Sequence, residues 1–315
     1  MASLVGKYVA AGRRSRLKKM PRYRIWILAS RPRTLTAAAA PVLLGTGLAV
    51  GHGAFRWGPA IASLFGALLI QIGTNLANDY YDHLRGGDTE DRIGPLRATQ
   101  AGLLPPRTVR TGAFIVLAFA LGVGVYLVSV GGLPILLIGI ASLICAVAYT
   151  GGPFPLAYHG LGDVFVFVFF GLFAVGGTYW VQALAFSSEV LLAGAGMGAM
   201  ATAILVVNNL RDIWTDARAG KRTLAVRMGP TGTKAEYLLL VFGALAVPIL
   251  GINAFGWGTW TLLTLLSALP LMNPILAVFA FSPARDPRTL IPPLGGTAQA
   301  AGLYGLLLGA TLALT

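Results

Sequence analysis

Pro59-Ala-Ile-Ala-Ser-Leu-Phe-Gly-Ala-Leu-Leu-Ile-Gln-Ile-Gly-Thr-Asn-Leu-Ala-Asn78 is a stretch of 20 residues without a charge, and it runs directly into Asp79-Tyr80-Tyr81-Asp82. A helix of about 20 apolar residues is what crosses the ~30 Å hydrocarbon core of a bilayer. Carboxylates at the end of such a run are costly unless paired or solvated, so they mark function by default. The arrangement recurs once: the apolar run near 190–210 ends in Asn208-Asn209-Leu210-Arg211-Asp212-Ile213-Trp214-Thr215-Asp216. Outward from these two, apolar runs lie near 34–50, 59–78, 111–130, 134–150, 162–182, 190–210, 235–252, 257–280 and 297–314, the first and last being the shortest and rich in Gly and Ala. They do not alternate with period two, which argues against a β-barrel. The expected fold is an all-α integral membrane protein, nine transmembrane helices in one bundle over residues 25–315, preceded by a basic arm at residues 1–24.

Composition agrees. Of the 315 residues, 56% are hydrophobic and 11% charged, against about a quarter charged in a soluble domain. Net charge is +13, and its placement separates membrane from nucleic acid. With nine spans and a cytoplasmic N-terminus, 23 of the 24 Lys and Arg residues fall on one side, leaving Arg56 alone on the other. Positive charge marks the cytoplasmic face. The arm carrying Arg13, Arg14, Arg16, Lys18, Lys19, Arg22 and Arg24 fits anionic lipid headgroups, and no nucleic-acid partner is expected. The expected location is the inner membrane of a bacterial or archaeal cell, multi-pass, with no cleaved signal peptide. Cys145 is the only cysteine, so an intrachain disulfide is excluded. His52, His83 and His159 are too scattered for a zinc-type cluster. Gly122/Gly124 and Gly171/Gly176/Gly177 read as places where helices pack closely.

The two acidic motifs carry the chemistry. Asn75, Asn78, Asp79 and Asp82 are three or four residues apart and share one helical face, while Asp88, beyond Gly86-Gly87, falls on a loop. Asn208, Asp212 and Asp216 are spaced i, i+4, i+8. Five of the eleven acids of the chain lie in these two segments. Mg²⁺ takes oxygen ligands, usually one or two carboxylates completed by water and substrate phosphate. Two half-sites facing each other would hold metal that bridges to one diphosphate. The alternative, Asn and Asp as solvated helix caps, accounts for one motif better than for two matched ones. Arg92 and Arg97 follow the first motif, and Lys221 and Arg222 the second; such groups stabilise phosphate through charge-assisted hydrogen bonds, although a cytoplasmic loop carries basic residues without any site.

Several stretches are similar to a known pattern: Arg31-Pro-Arg-Thr34, Ala40-Pro-Val-Leu-Leu-Gly45, Gly73-Thr-Asn-Leu-Ala-Asn-Asp79-Tyr-Tyr-Asp82, Arg92-Ile-Gly-Pro-Leu-Arg97, Ala148-Tyr149-Thr150-Gly-Gly-Pro153, Gly160-Leu-Gly-Asp163 and, most specifically, Asn208 through Gly229. The chain resembles the UbiA superfamily of membrane prenyltransferases over about residues 25–315. Within it the closest likeness is to the MenA branch, the 1,4-dihydroxy-2-naphthoate polyprenyltransferases of menaquinone synthesis. The superfamily's first motif, Asn-Asp-x-x-Asp-x-x-x-Asp, has Gly86 here at its last position, with the next acid at Asp88; the longer spacing resembles that branch.

The resemblance implies a UbiA-like bundle whose active site opens at the cytoplasmic side. It also implies Mg²⁺-dependent transfer of a polyprenyl group from polyprenyl diphosphate to 1,4-dihydroxy-2-naphthoate, with loss of CO₂ and a proton, giving demethylmenaquinone in its reduced, quinol form. Carried over by residue, Asn78, Asp82, Asp88, Asp212 and Asp216 would hold the metal, with Asp79 and Asn208 beside them. Arg92, Arg97, Arg211, Lys221 and Arg222 would bind the diphosphate, with Asn75 among the binding residues. Tyr149 would shield an allylic cation with its π face, or serve as an interfacial aromatic; Asp163 would orient the acceptor or cap its helix. A UbiA-type enzyme with another aromatic acceptor and a cation-coupled transporter stay as alternatives. Transporter acids sit near the midplane on broken helices, and these sit at helix ends. A CDP-alcohol phosphotransferase would need its own motif, Asp-Gly-x-x-Ala-Arg, which the sequence lacks.

Overall fold

The computed structural model describes residues 20–86, 93–94 and 97–315. Among these residues the chain forms ten helices: α1 (Arg22–Ser30), α2 (Pro32–Gly51), α3 (Trp57–Leu84), α4 (Pro106–Gly131), α5 (Leu133–Ala148), α6 (Gly162–Ala183), α7 (Ser188–Arg218), α8 (Leu224–Phe255), α9 (Thr259–Ala280) and α10 (Ile291–Leu312). Each apolar run of the sequence becomes one of the helices α2–α10. Seven of them (α2, α3, α4, α6, α7, α8 and α9) are long and apolar enough to cross a bilayer, while α5 has 16 residues and Gly/Ala-rich α10 falls outside that set. The protein is an all-helical, multi-span membrane protein.

Local chemistry sets the boundaries. Pro32 and Pro106 occupy first-turn positions, where a missing N–H leaves no helical bond unmade. The Thr223 hydroxyl accepts from the Val226 N–H at 3.2 Å and caps α8. Gly220, at φ 74°, ends the α7 turn in a backbone conformation that a side chain would strain. α6 loosens into a π-helical segment at Phe167–Phe173, a form frequent at functional sites.

Consecutive helices pack side by side, and α10 returns to lie against α2, closing the bundle. That closure depends on small residues: a methyl group at Gly47 would overlap the Gly309 backbone, and one at Gly305 would press on Ala40. In lipid, where apolar surface gains nothing from leaving water, such close approach is what holds helices together. Gly171 packs in the same way on Gly194 and Gly198 of α7, as expected. The packing expectation for Gly122 and Gly124 is corrected: nothing lies within 4 Å of a Cβ built at either, and Gly124 lines a cavity instead. α7 is the central element, with 72% of its apolar window buried against 17% for α4. At the end of the bundle away from the acidic motifs, Glu189 accepts from Trp257 Nε1 at 2.8 Å and pairs with His52 Nε2 at 2.9 Å, while His52 Nδ1 meets the Tyr179 hydroxyl at 2.7 Å. That end is a closed polar clamp.

Candidate active site

α3 stays helical through Leu84, so all four polar residues of the first motif ride on its last turns. Asn75 uses its side-chain N–H groups to reach the Ser30 carbonyl at 3.0 Å and the Thr34 hydroxyl at 2.9 Å, tying α3 to the break between α1 and α2. Asp79 is buried and faces the turn that begins at Arg97. Its carboxylate accepts from Ala98 N at 2.9 Å, from Thr99 N at 3.3 Å and from the Thr99 hydroxyl. The turn then closes on itself, Ala101 N to Arg97 O at 3.0 Å and Leu103 N to Ala98 O at 2.9 Å. Asp79 therefore caps a helical turn from outside the chain segment that forms it.

Capping delivers Arg97. Its guanidinium bonds the Asn78 backbone carbonyl and reaches Asp82 Oδ2 at 2.5 Å, both side chains being buried. The Asn78 side-chain oxygen accepts from the Thr150 hydroxyl at 2.8 Å, and Asp82 Oδ1 accepts from the Tyr158 hydroxyl at 3.1 Å. The second motif is built differently. α7 runs through Arg218 and puts Asn208, Asp212 and Asp216 on one face. Arg211, fully buried, grips Asp212 with Nε at 2.8 Å and Nη2 at 2.5 Å and also reaches Asn208 Oδ1 at 2.8 Å. Asp212 and Asp216 keep 14% and 15% of their side-chain surface exposed, against 2% for Asp82.

Lys221 joins the halves. α7 closes with the Lys221 N–H on the Asp216 carbonyl at 2.9 Å. The ammonium group then stands 3.6 Å from Asp82 and 3.9 Å from Asp216. It lies 4.9 Å from the centre of the Tyr158 ring, with the Arg85 guanidinium 5.6 Å from that same centre. Burial, together with the charge and hydrogen bond of Asp82, pushes the Tyr158 phenol above its ordinary range, so the hydroxyl stays a donor to Asp82 at neutral pH. Arg222 is exposed, and its backbone N–H is given to the Tyr158 carbonyl at 3.0 Å. Asp88 and Arg92 lie outside the described residues.

Tyr149 and Asn78 stand at one end of a cavity of about 500 Å³. Its walls are almost wholly apolar, running past Ile70, Phe169 and Phe173 to Ser63, Gly66 and Val128. Asp163 sits in the first turn of α6, buried, with Oδ2 lacking a hydrogen-bond partner among the described residues. Its neighbour Gly162 has room for a Cβ only 3.1 Å from the Tyr149 hydroxyl. Among the described residues, no three Asp, Glu, His or Cys side chains converge closely enough to hold a metal by themselves. The donor set is nonetheless all oxygen, one or two carboxylates per half-site, which is the demand of Mg²⁺ when phosphate and water complete its shell.

Sequence reasoning singled out the acids and missed what positions them. Tyr158, Thr99, Thr150 and Arg85, which donates to the Thr150 carbonyl at 3.1 Å, carry no charge pattern or spacing that announces a site. A short, Gly-rich loop after α5 was the available signal for Tyr158.

The family described as the UbiA prenyltransferase family matches residues 38–310. A 1,4-dihydroxy-2-naphthoate octaprenyltransferase of Mycobacterium tuberculosis is 40% identical over 290 residues, covering 91% of this chain and 96% of that protein. One of Haemophilus influenzae is 36% identical over 307 residues, covering 93% and 97%. In three dimensions, a UbiA homolog from Archaeoglobus fulgidus bound to DMAPP and Mg²⁺ aligns with a TM-score of 0.58 at 15% identity, covering 90% of this chain and 98% of that one.

Proposed function

The chain belongs to the UbiA prenyltransferase family, and from that membership we propose that it transfers a polyprenyl group from polyprenyl diphosphate to 1,4-dihydroxy-2-naphthoate in menaquinone biosynthesis. The observation that carries this reading is the meeting of two acidic helix ends, joined by Lys221, with Asn75 and Asn78 of the first motif lining an apolar cavity. A prenyl diphosphate has the matching shape, an anionic head on a hydrocarbon tail. We read α2–α10 as nine spans with a cytoplasmic N-terminus, which puts both motifs at the cytoplasmic face.

Asn78, Asp82, Asp212 and Asp216 would hold Mg²⁺, which as a Lewis acid would share the charge of the leaving diphosphate. Arg97 and Lys221 add positive charge at the same place, aimed where charge develops as the allylic C–O bond breaks. The cavity shields the prenyl tail and the cationic carbon from water, and the Tyr149 ring at its mouth offers that carbon a π face, an attraction of about 0.5–2 kcal/mol. The ring carbon of the acceptor attacks, forming the C–C bond, and loss of CO₂ and a proton restores aromaticity. Asp163 supplies a buried carboxylate oxygen beside Tyr149 for the acceptor hydroxyl. Asp79 acts at one remove, by fixing the turn that carries Arg97.

Purified protein in proteoliposomes, given Mg²⁺, a polyprenyl diphosphate and dihydroxynaphthoate, releases diphosphate and CO₂ in equal amounts on this reading. Release with 4-hydroxybenzoate but not with dihydroxynaphthoate would transfer the protein to another acceptor. Cation flux without any product would sink the enzyme reading altogether.

A further inference from the structure

Among the described residues, three cations at the paired acids are not held alike. Arg97 and Arg211 meet Asp82 and Asp212 at 2.5 Å. Lys221 stands at 3.6 and 3.9 Å from Asp82 and Asp216, beyond the ~2.7–2.9 Å of a charge-assisted N–H···O bond. Its ammonium balances charge between α3 and α7 without being fastened to either. Its backbone, in contrast, is pinned by the bond to the Asp216 carbonyl, and its head lies near the Tyr158 ring, whose hydroxyl is itself fixed on Asp82. A flexible four-carbon stem on a fixed base, with an aromatic surface beside it, can turn without the loop moving.

We propose that Lys221 is a placeholder: its ammonium occupies the electrostatic seat of the divalent cation between the half-sites and swings to the diphosphate when metal and donor arrive together. This rests on the reading that Asp82 and Asp216 hold Mg²⁺. The physical consequence is a coupling between two ligands. Metal alone must displace a positive charge from the carboxylates, so it binds weakly. Metal with diphosphate gives the displaced ammonium a new anionic partner, so the pair binds well. Lys221 is thus a positioning residue for the metal as well as a contact for the donor.

The test measures Mn²⁺ binding by electron paramagnetic resonance in nanodisc-reconstituted full-length protein, with and without inorganic pyrophosphate, in wild type, Lys221→Met and Lys221→Arg. Without pyrophosphate, Lys221→Met is expected to bind Mn²⁺ about tenfold more tightly than wild type, because a competing charge within 4 Å has gone. Lys221→Arg keeps the charge and stays near wild type. With pyrophosphate the order reverses, and Lys221→Met becomes the weaker binder. A role confined to holding the structure together would lower Mn²⁺ affinity in both conditions. Equal or weaker binding by Lys221→Met without pyrophosphate overturns the placeholder. Failure of wild type and variants alike to bind Mn²⁺, even with pyrophosphate, overturns the metal reading beneath it.

Discussion

The two acidic motifs look alike in sequence and are built on different terms. On α3, Asp79 and Asp82 are buried and held by donors from other parts of the chain: two backbone N–H groups and a hydroxyl on Asp79, a guanidinium and a phenol on Asp82. On α7, Asp212 is held by the arginine one residue before it, and Asp216 faces the gap with a loosely placed ammonium beside it. One half is preorganised by tertiary contacts from a distant loop; in the other, Asp212 is held from its own helix and both acids are somewhat more exposed.

Five substitutions break or sharpen that contrast. The largest effect is expected at the junction: Asp82→Ala removes a carboxylate shared by Arg97, Tyr158 and Lys221, and turnover should fall at least ~100-fold, the scale of losing one transition-state charge contact. Diphosphate release in proteoliposomes reads it, and near-normal turnover would remove Asp82 from the metal site. Next comes blockage of the tail cavity. Gly66→Leu adds bulk beside Leu127, which lines the cavity with it, and kcat/KM for long-chain donors should drop roughly 10–200-fold relative to geranyl diphosphate, as for other volume-limited apolar pockets. Loss of the same size for both donors would show that this part of the cavity does not hold the tail.

The third prediction separates the halves directly. Asp79→Ala strands buried donors of the 97–104 turn, so the protein should lose about 1–3 kcal/mol of stability, whereas Asp216→Ala, at a less buried carboxylate, should lose less stability than that while losing turnover. Thermal unfolding in detergent followed by tryptophan fluorescence distinguishes them, and equal destabilisation would erase the contrast. The smallest effect is expected for Tyr158→Phe, which keeps the ring beside Lys221 and deletes one hydrogen bond to Asp82. About 0.5–1.5 kcal/mol corresponds to a few-fold change in kcat/KM, and no change at all would show the hydroxyl to be dispensable.

Much of the fold was legible because membrane helices must satisfy their backbone polar groups internally, which turns long uncharged runs into helices wherever they occur. All the apolar runs became helices, and the acids at the ends of two of them mark the candidate site. What escaped reading depended on distance in sequence. Asp79 and Asp82 are indistinguishable as letters, and only the return of residues 97–99 to α3 makes one a loop anchor and the other a site carboxylate. Tyr158 is one aromatic among many until the α5–α6 loop lays it against Asp82 and Lys221. Gly124 looks like a packing glycine until α4 is placed beside open space.

The sequence by itself determined that this is a helical membrane protein with oxygen-rich chemistry at the ends of two spans, because hydropathy and helical spacing are local properties. Which carboxylate faces which cation, where an apolar cavity opens between the helices, and which acids are the more deeply buried were decided only by tertiary structure. Those are relations between side chains some 70 to 140 residues apart, such as Tyr158 with Asp82 and Lys221 with Asp82, and no local pattern encodes them.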